Sequence, residues 1–183
     1  MIKILKLKRK DGDIIEAVIK KLDLTYIDKI MALQKNIIDG LENPETYAAS
    51  KSEEFESCIK GSGTILGVVT STDELIAMGV YMKNGYDNHN YGYDIELKGE
   101  ELLKVGQIES TVVMGDYRGN KLQRILCECL EDIGKENDTP IMCATASPYN
   151  EFSVNTFISL GYEIKADKLK YGGLRRYVLV KTL

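Results

Sequence analysis

Apolar residues recur along this chain with two periods, and the switches between them mark the elements. Residues 2–9 (Ile-Lys-Ile-Leu-Lys-Leu-Lys-Arg) alternate apolar and basic positions and predict a strand. Asp11-Gly12 is a tight-turn dipeptide and residues 14–20 are β-branched, so an N-terminal hairpin is expected. Thr25, with Asp28 three positions on, reads as the cap of a helix carrying Ile27, Ile30, Met31, Ile37 and Ile38. Asn43-Pro44-Glu45 is a second helix start, and helical pieces are expected as far as Lys60. Gly61-Ser62-Gly63 breaks the pattern. Thr64 to Thr70 and Leu75 to Met82 then predict a hairpin, followed by a polar, aromatic, nonperiodic stretch over 83–104. Gln107 to Met114 predicts a strand. Leu122, Ile125, Leu126, Cys129, Leu130 and Ile133 fall at i, i+3, i+4, i+7, i+8 and i+11, the strongest helical stripe in the chain. Pro140 to Thr145 reads as a buried strand, Pro148 to Leu160 as a helix with Gly161 beyond its end, and Tyr162 to Lys165 and Arg176 to Lys181 as the last strands. The order ββαα-ββ-β-α-β-α-ββ predicts one α+β domain, 1–183, on a mainly antiparallel sheet with a βαβ insert.

Composition narrows the function classes. The chain has 183 residues, 28 acidic against 24 basic, for a net charge of −4. That balance argues against non-specific nucleic-acid binding, which needs a basic face to displace counterions. No apolar run approaches the roughly 18–20 residues that span a bilayer, and the N-terminus lacks the apolar core of a secretion signal. Cys58, Cys127, Cys129 and Cys143 form no Cys-x-x-Cys, and His89 is the single histidine. The cysteines are read as reduced thiols of a cytoplasmic protein, with no metal site expected.

The segment from Ile108 to Gln123 carries the first candidate chemistry. A strand runs through Val112, Val113 and Met114 into a short loop, Gly115-Asp116-Tyr117-Arg118-Gly119-Asn120-Lys121, and then directly into the strong helix at Leu122. Backbone N–H groups at such a start lack internal partners and share about half a positive charge, so they bind phosphate. Gly119 lets the backbone approach an anion, and Arg118 and Lys121 add mobile charge.

A second segment, Asn150-Glu151-Phe152-Ser153-Val154-Asn155-Thr156-Phe157-Ile158-Ser159-Leu160-Gly161-Tyr162, resembles the Asn-x-x-Ala/Ser-x-x-x-Tyr/Phe-x-x-x-Gly-Phe/Tyr signature of the GNAT N-acetyltransferases. The earlier loop resembles that family's Val-x-Pro-x-Tyr-Arg-Gly-x-Gly acetyl-CoA motif through Val113, Tyr117, Arg118 and Gly119. Both occur in the family's order, and the likeness covers nearly the whole chain from Ile14 to Lys181.

The resemblance implies a three-layer fold whose mixed, mainly antiparallel sheet is flanked by helices, here with an extra N-terminal strand. It implies acetyl-CoA as co-substrate and direct transfer of the acetyl group to a primary amine of a small molecule or peptide. Val112, Val113 and Met114 would pair their backbone with the pantetheine arm at a splay between two strands. Arg118, Gly119, Asn120, Lys121, Leu122 and Gln123 would present N–H groups to the pyrophosphate. Asn150 would reach the pantetheine, and Ser153 and Phe157 would lie along the thiol end. Lys121 stands where the family has a second glycine, and Gly115 where it has proline. Phe157 replaces a common tyrosine and cannot donate a proton. Tyr149, Tyr171 or water is then left to protonate the thiolate.

Glu109 is the first choice of base, placed by strand alternation on one face with Thr111 and Val113; Asp94 and Glu96 are the second. The Val113–Met114 backbone is expected to donate to the developing oxyanion. Tyr86, Tyr91 and Tyr93 are candidates for a lid over the amine, and Arg175 or Arg176 for an acceptor carboxylate. An acyl-CoA-binding module with little catalysis is the alternative reading. Free strand edges suit a homodimer.

Overall fold

A computed structural model describes residues 3–183. Ile2, assigned above to the first strand, lies outside them. The strands are β1 (Lys3–Lys8), β2 (Ile14–Lys21), β3 (Thr64–Thr70), β4 (Leu75–Met82), β5 (Val105–Val113), β6 (Ile141–Ala146), β7 (Glu163–Lys170) and β8 (Leu174–Thr182). They form one sheet in the order β1-β2-β3-β4-β5-β6-β8-β7. Every pair is antiparallel except β5 with β6, which are joined by a helical crossover as parallel strands require. β3 and β4 are buried along nearly their whole length, because helices cover both faces of the sheet there.

The helices are α1 (Ile27–Asp39), α2 (Ser52–Lys60), α3 (Leu122–Glu136) and α4 (Glu151–Ser159). α1 and α2 set Ile30, Leu33, Ile37, Phe55 and Cys58 against one face. α3 and α4 set Leu122, Leu126, Leu130 and Phe157 against the other, giving three layers. Thr25 is not the cap expected of it. Asp23 accepts from the Thr25 N–H at 2.9 Å and starts a 3-10 turn that runs into α1. Buried Gln34 on α1 fixes the segment ahead of α2. It donates to the Ser50 carbonyl at 2.8 Å and accepts from the Ser50 N–H at 2.9 Å and the Tyr47 hydroxyl at 3.0 Å.

The stretch 83–104 is packed onto the sheet rather than held over it. It forms two 3-10 turns, Tyr91–Ile95 and Gly99–Lys104. Buried Asn90 ties it together, donating to the carbonyls of Gly85 (2.6 Å) and Leu102 (3.0 Å) and accepting from the Gly92 N–H (2.7 Å). Tyr93 donates to the Tyr86 carbonyl at 3.0 Å, and both rings are exposed. Of the three tyrosines proposed as a lid, only Tyr91 turns inward.

Candidate active site

The parallel pairing of β5 with β6 stops at Ile108 opposite Ala144. Beyond it the strands part, and one feature of β5 coincides with the parting. Met78 and Val80 of β4 stand opposite Val112 and Glu109 of β5, so two steps on one strand face three on the other. The extra residue makes a bulge at Ser110, whose φ is 47°. A bulge reverses side-chain parity. Val112 therefore packs on the α1–α2 side, while Val113 and the Thr111 methyl face α3. Glu109 shares its face with Gln107 and the Cys58 side, not with Thr111 and Val113 as simple alternation requires.

The bulge also decides which backbone groups are open. The Met114 N–H donates to the Ile76 carbonyl at 2.8 Å and its carbonyl accepts from Tyr117 N–H at 3.0 Å. Met114 thus has no N–H left for a ligand. By alternation Val112 also faces β4, and the N–H and carbonyl of Val113 point into the parting.

At the end of β5 the chain turns through Gly115–Tyr117 into α3. Among the described residues, the N–H groups of Gly119 through Gln123 meet no acceptor. Gly119 has φ 89° with open space where a Cβ would stand. Lys121, which ends the loop, has φ 58°, the conformation that explains a glycine preference there. Its side chain and that of Arg118 are exposed. The loop is braced from a distant part of the chain. Asn120 accepts from the Lys8 N–H at 2.8 Å and donates to the carbonyls of Lys8 (2.8 Å) and Tyr117 (2.9 Å). The Lys10 N–H donates to the Asp116 carbonyl at 2.9 Å. Gln123 reaches across to α4, donating to Ser153 Oγ at 2.9 Å and to Thr111 Oγ1 at 3.3 Å.

Next to the parting lies a cleft of about 1050 Å³, with Glu109, Thr145, Ser153 and Tyr171 among its lining. Gln107 donates to Glu109 Oε1 at 2.5 Å. Burial pushes the Glu109 carboxyl above its ordinary range, against the hydrogen bonds from Gln107 and Tyr91. The Tyr91 and Tyr171 hydroxyls meet at 2.5 Å, and Tyr171 also meets Thr145 Oγ1 at 2.9 Å. Burial raises the Tyr91 phenol, and desolvation raises that of Tyr171, whose ring is half exposed. The set is a carboxylate primed to take a proton, linked through hydroxyls to the far wall.

No family model matches the chain, and no curated protein does. Solved structures do match. The GNAT domain of S. lividans PAT aligns with a TM-score of 0.66 at 13% identity, over 98% of this chain and 97% of that one. The yncA putative acetyltransferase from Salmonella typhimurium, with its cofactor acetyl-CoA, gives 0.69 at 13% over 91% and 94%. Arabidopsis thaliana NAA60, in complex with acetyl-CoA, gives 0.70 at 10% over 90% and 97%.

This chain has the GNAT fold.

On this GNAT fold the expected site residues separate into groups. Gly119, Asn120, Lys121, Leu122 and Gln123 do form an unpaired N–H run, whereas the Arg118 N–H is taken by the Gly115 carbonyl at 3.3 Å. Asn120 and Gln123 also use their side chains to hold the loop, which sequence spacing did not show. Asn150 lines the cleft, but its Oδ1 caps α4 at the Ser153 N–H (3.2 Å). Ser153 lines the cleft. Phe157 does not; it is 1% exposed and packs edge-on against Tyr162 at 5.1 Å in the core. Asp94 is bound by Lys170 at 2.5 Å and Lys168 at 3.7 Å, and Glu96 is exposed. Tyr149 stands outside the cleft and Tyr171 within it. Gln107 was missed. Its signal is a polar residue two positions before Glu109, on the same face, at the otherwise apolar start of the strand.

No described helix is long and apolar enough to cross a membrane. Among the described residues the cysteines form no disulfide, and burial pushes the thiols of Cys58 and Cys143 up to about 12.

Proposed function

We propose that the chain is an acetyl-CoA-dependent N-acetyltransferase that passes the acetyl group directly to a primary amine. One observation carries this reading: the parted edge of β5 at Val113 runs straight into the unpaired N–H groups of Gly119 to Gln123, on a fold shared with acetyltransferases. An open strand edge suits the amide-bearing pantetheine arm, and a helix start suits the pyrophosphate. The open space at Gly119 fits such a group.

Bound acetyl-CoA supplies the acetyl carbon as a thioester. In the net reaction amine and thioester become amide and thiol, with one proton passing from nitrogen to sulfur. Glu109 takes the proton from the acceptor nitrogen, which has no free electron pair as an ammonium. On the parted edge of β5 the Val113 carbonyl is left to accept from a pantetheine amide, and the Val113 N–H donates to the oxygen on which charge develops. Tyr171, held by Tyr91 and Thr145, is the cleft hydroxyl that returns a proton. The reduced thiols suit a cytoplasmic setting.

Purified protein with acetyl-CoA and a panel of amines is the test, followed by thiol release and by calorimetry of acetyl-CoA binding. Release that depends on the amine supports the reading. Phe157 buried in the core favours the alternative of a binding module, because the family's usual tyrosine hydroxyl has no counterpart there. Tight binding with no release for any amine would establish that alternative.

A further inference from the structure

Arg175 and Arg176 are adjacent on β8, so their side chains point to opposite faces. Arg175 turns out and forks onto Asp167 with contacts of 3.0, 3.2 and 2.6 Å. Arg176 turns in. It is 3% exposed and lines the cleft beside Tyr171, its guanidinium carbon 5.8 Å from that ring. Nη1 donates to the Arg175 carbonyl at 2.8 Å, and Nη2 is buried with no acceptor. Among the described residues no carboxylate forms an ion pair with Arg176.

A guanidinium cannot escape burial by losing its proton. Elsewhere this protein matches a sheltered cation with an anion: Lys181 meets buried Glu131 at 2.7 Å, and Lys170 meets Asp94 at 2.5 Å. Among the described residues Arg176 has no such partner, and it stands on a cleft wall. A planar fork of donors is the partner that a carboxylate fits best. A carboxylate held in the cleft would supply the acceptor that Nη2 lacks. The same cleft carries Glu53, Glu54 and Glu109, a set suited to an ammonium group.

We propose that the acceptor is a small amino-carboxylate of the free amino-acid class, its carboxylate paired with Arg176 while its amine faces Glu109. This rests on the reading of the cleft as the acceptor site of an acetyltransferase.

The test compares amino acids with their own carboxamides, which keep the amine and side chain and lose the anion. Wild type is expected to favour the acids by at least about tenfold in kcat/KM, the least that one charge-assisted bond is worth. Arg176→Met erases that preference and leaves acetyl-CoA affinity unchanged. If the carboxamides react as well as the acids, or the preference survives in Arg176→Met, the proposal is overturned. Calorimetry of the same acids and amides with coenzyme A present gives a readout independent of turnover. Tighter binding of acids than of amides then supports the pairing even if no thiol is released, and equal binding refutes it. The wild-type comparison needs no variant, so a misfolded Arg176→Met leaves the question decided.

Discussion

Asn120→Ala isolates the brace between the N-terminal hairpin and the loop ahead of α3. The side chain makes three hydrogen bonds of 2.8, 2.8 and 2.9 Å, two at exposed Lys8 and one to the carbonyl of buried Tyr117. Net values run about 0.5–1.5 kcal/mol each, with the exposed pair at the lower end, so the loss comes to about 2 kcal/mol. For a chain of this length that lowers Tm by about 4–8 °C. The functional effect is separate. The loop conformation, with Gly119 at φ 89° and Lys121 at φ 58°, is held from outside by Lys8. Without the brace, part of the binding energy must order the loop, and the acetyl-CoA Kd rises about tenfold, equivalent to about 1.4 kcal/mol. Thermal unfolding and calorimetry on the same variant separate the two effects. A lowered Tm with Kd changed less than twofold would show that the hairpin stabilises the fold and does nothing for the loop.

Glu109→Gln is expected to lower kcat by about 10²–10⁴-fold with acetyl-CoA affinity retained. Because burial raises this carboxyl, wild type loses stability as pH rises through the folded-state value, and Glu109→Gln does not. Melting curves across pH should therefore show the variant gaining on wild type above the ordinary carboxylate range; parallel curves would count against burial of the charge. Gly119→Glu places a negative charge and a strained φ beside the phosphates, so acetyl-CoA binding is lost while the fold is kept; unchanged affinity would falsify the cradle. Phe157→Tyr puts a hydroxyl into the core beside Tyr162, lowering stability by about 1–3 kcal/mol without raising kcat. A faster enzyme would mean that this ring reaches the thiol after all.

Element type was legible where the pattern was periodic. The stripe from Leu122 to Ile133 predicts α3 because a one-sided apolar face has only one way to be buried. The strand Gln107 to Met114 was also legible, but its bulge was not. Ser110 is not a glycine, and only the register against β4 reveals the extra residue. That single insertion put Glu109 on the other face from the one alternation assigns, and Met114 out of reach as a donor. Tyr91 lay in a nonperiodic stretch, and its burial depends on Asn90 and Gln107, contacts made across 12 and 16 positions. Sequence spacing carries no sign of such pairings. The arginine pair could be narrowed only when Asp167 was seen to occupy Arg175.

The clasp between Lys8 and Asn120 joins positions 112 apart. Closing so large a loop is slow compared with forming a helix or a hairpin, and nothing rewards it until both partners are in place. The turn ahead of α3 is therefore expected to be among the last parts of the molecule to take shape during refolding. Ligand-binding competence should lag behind the return of helical signal.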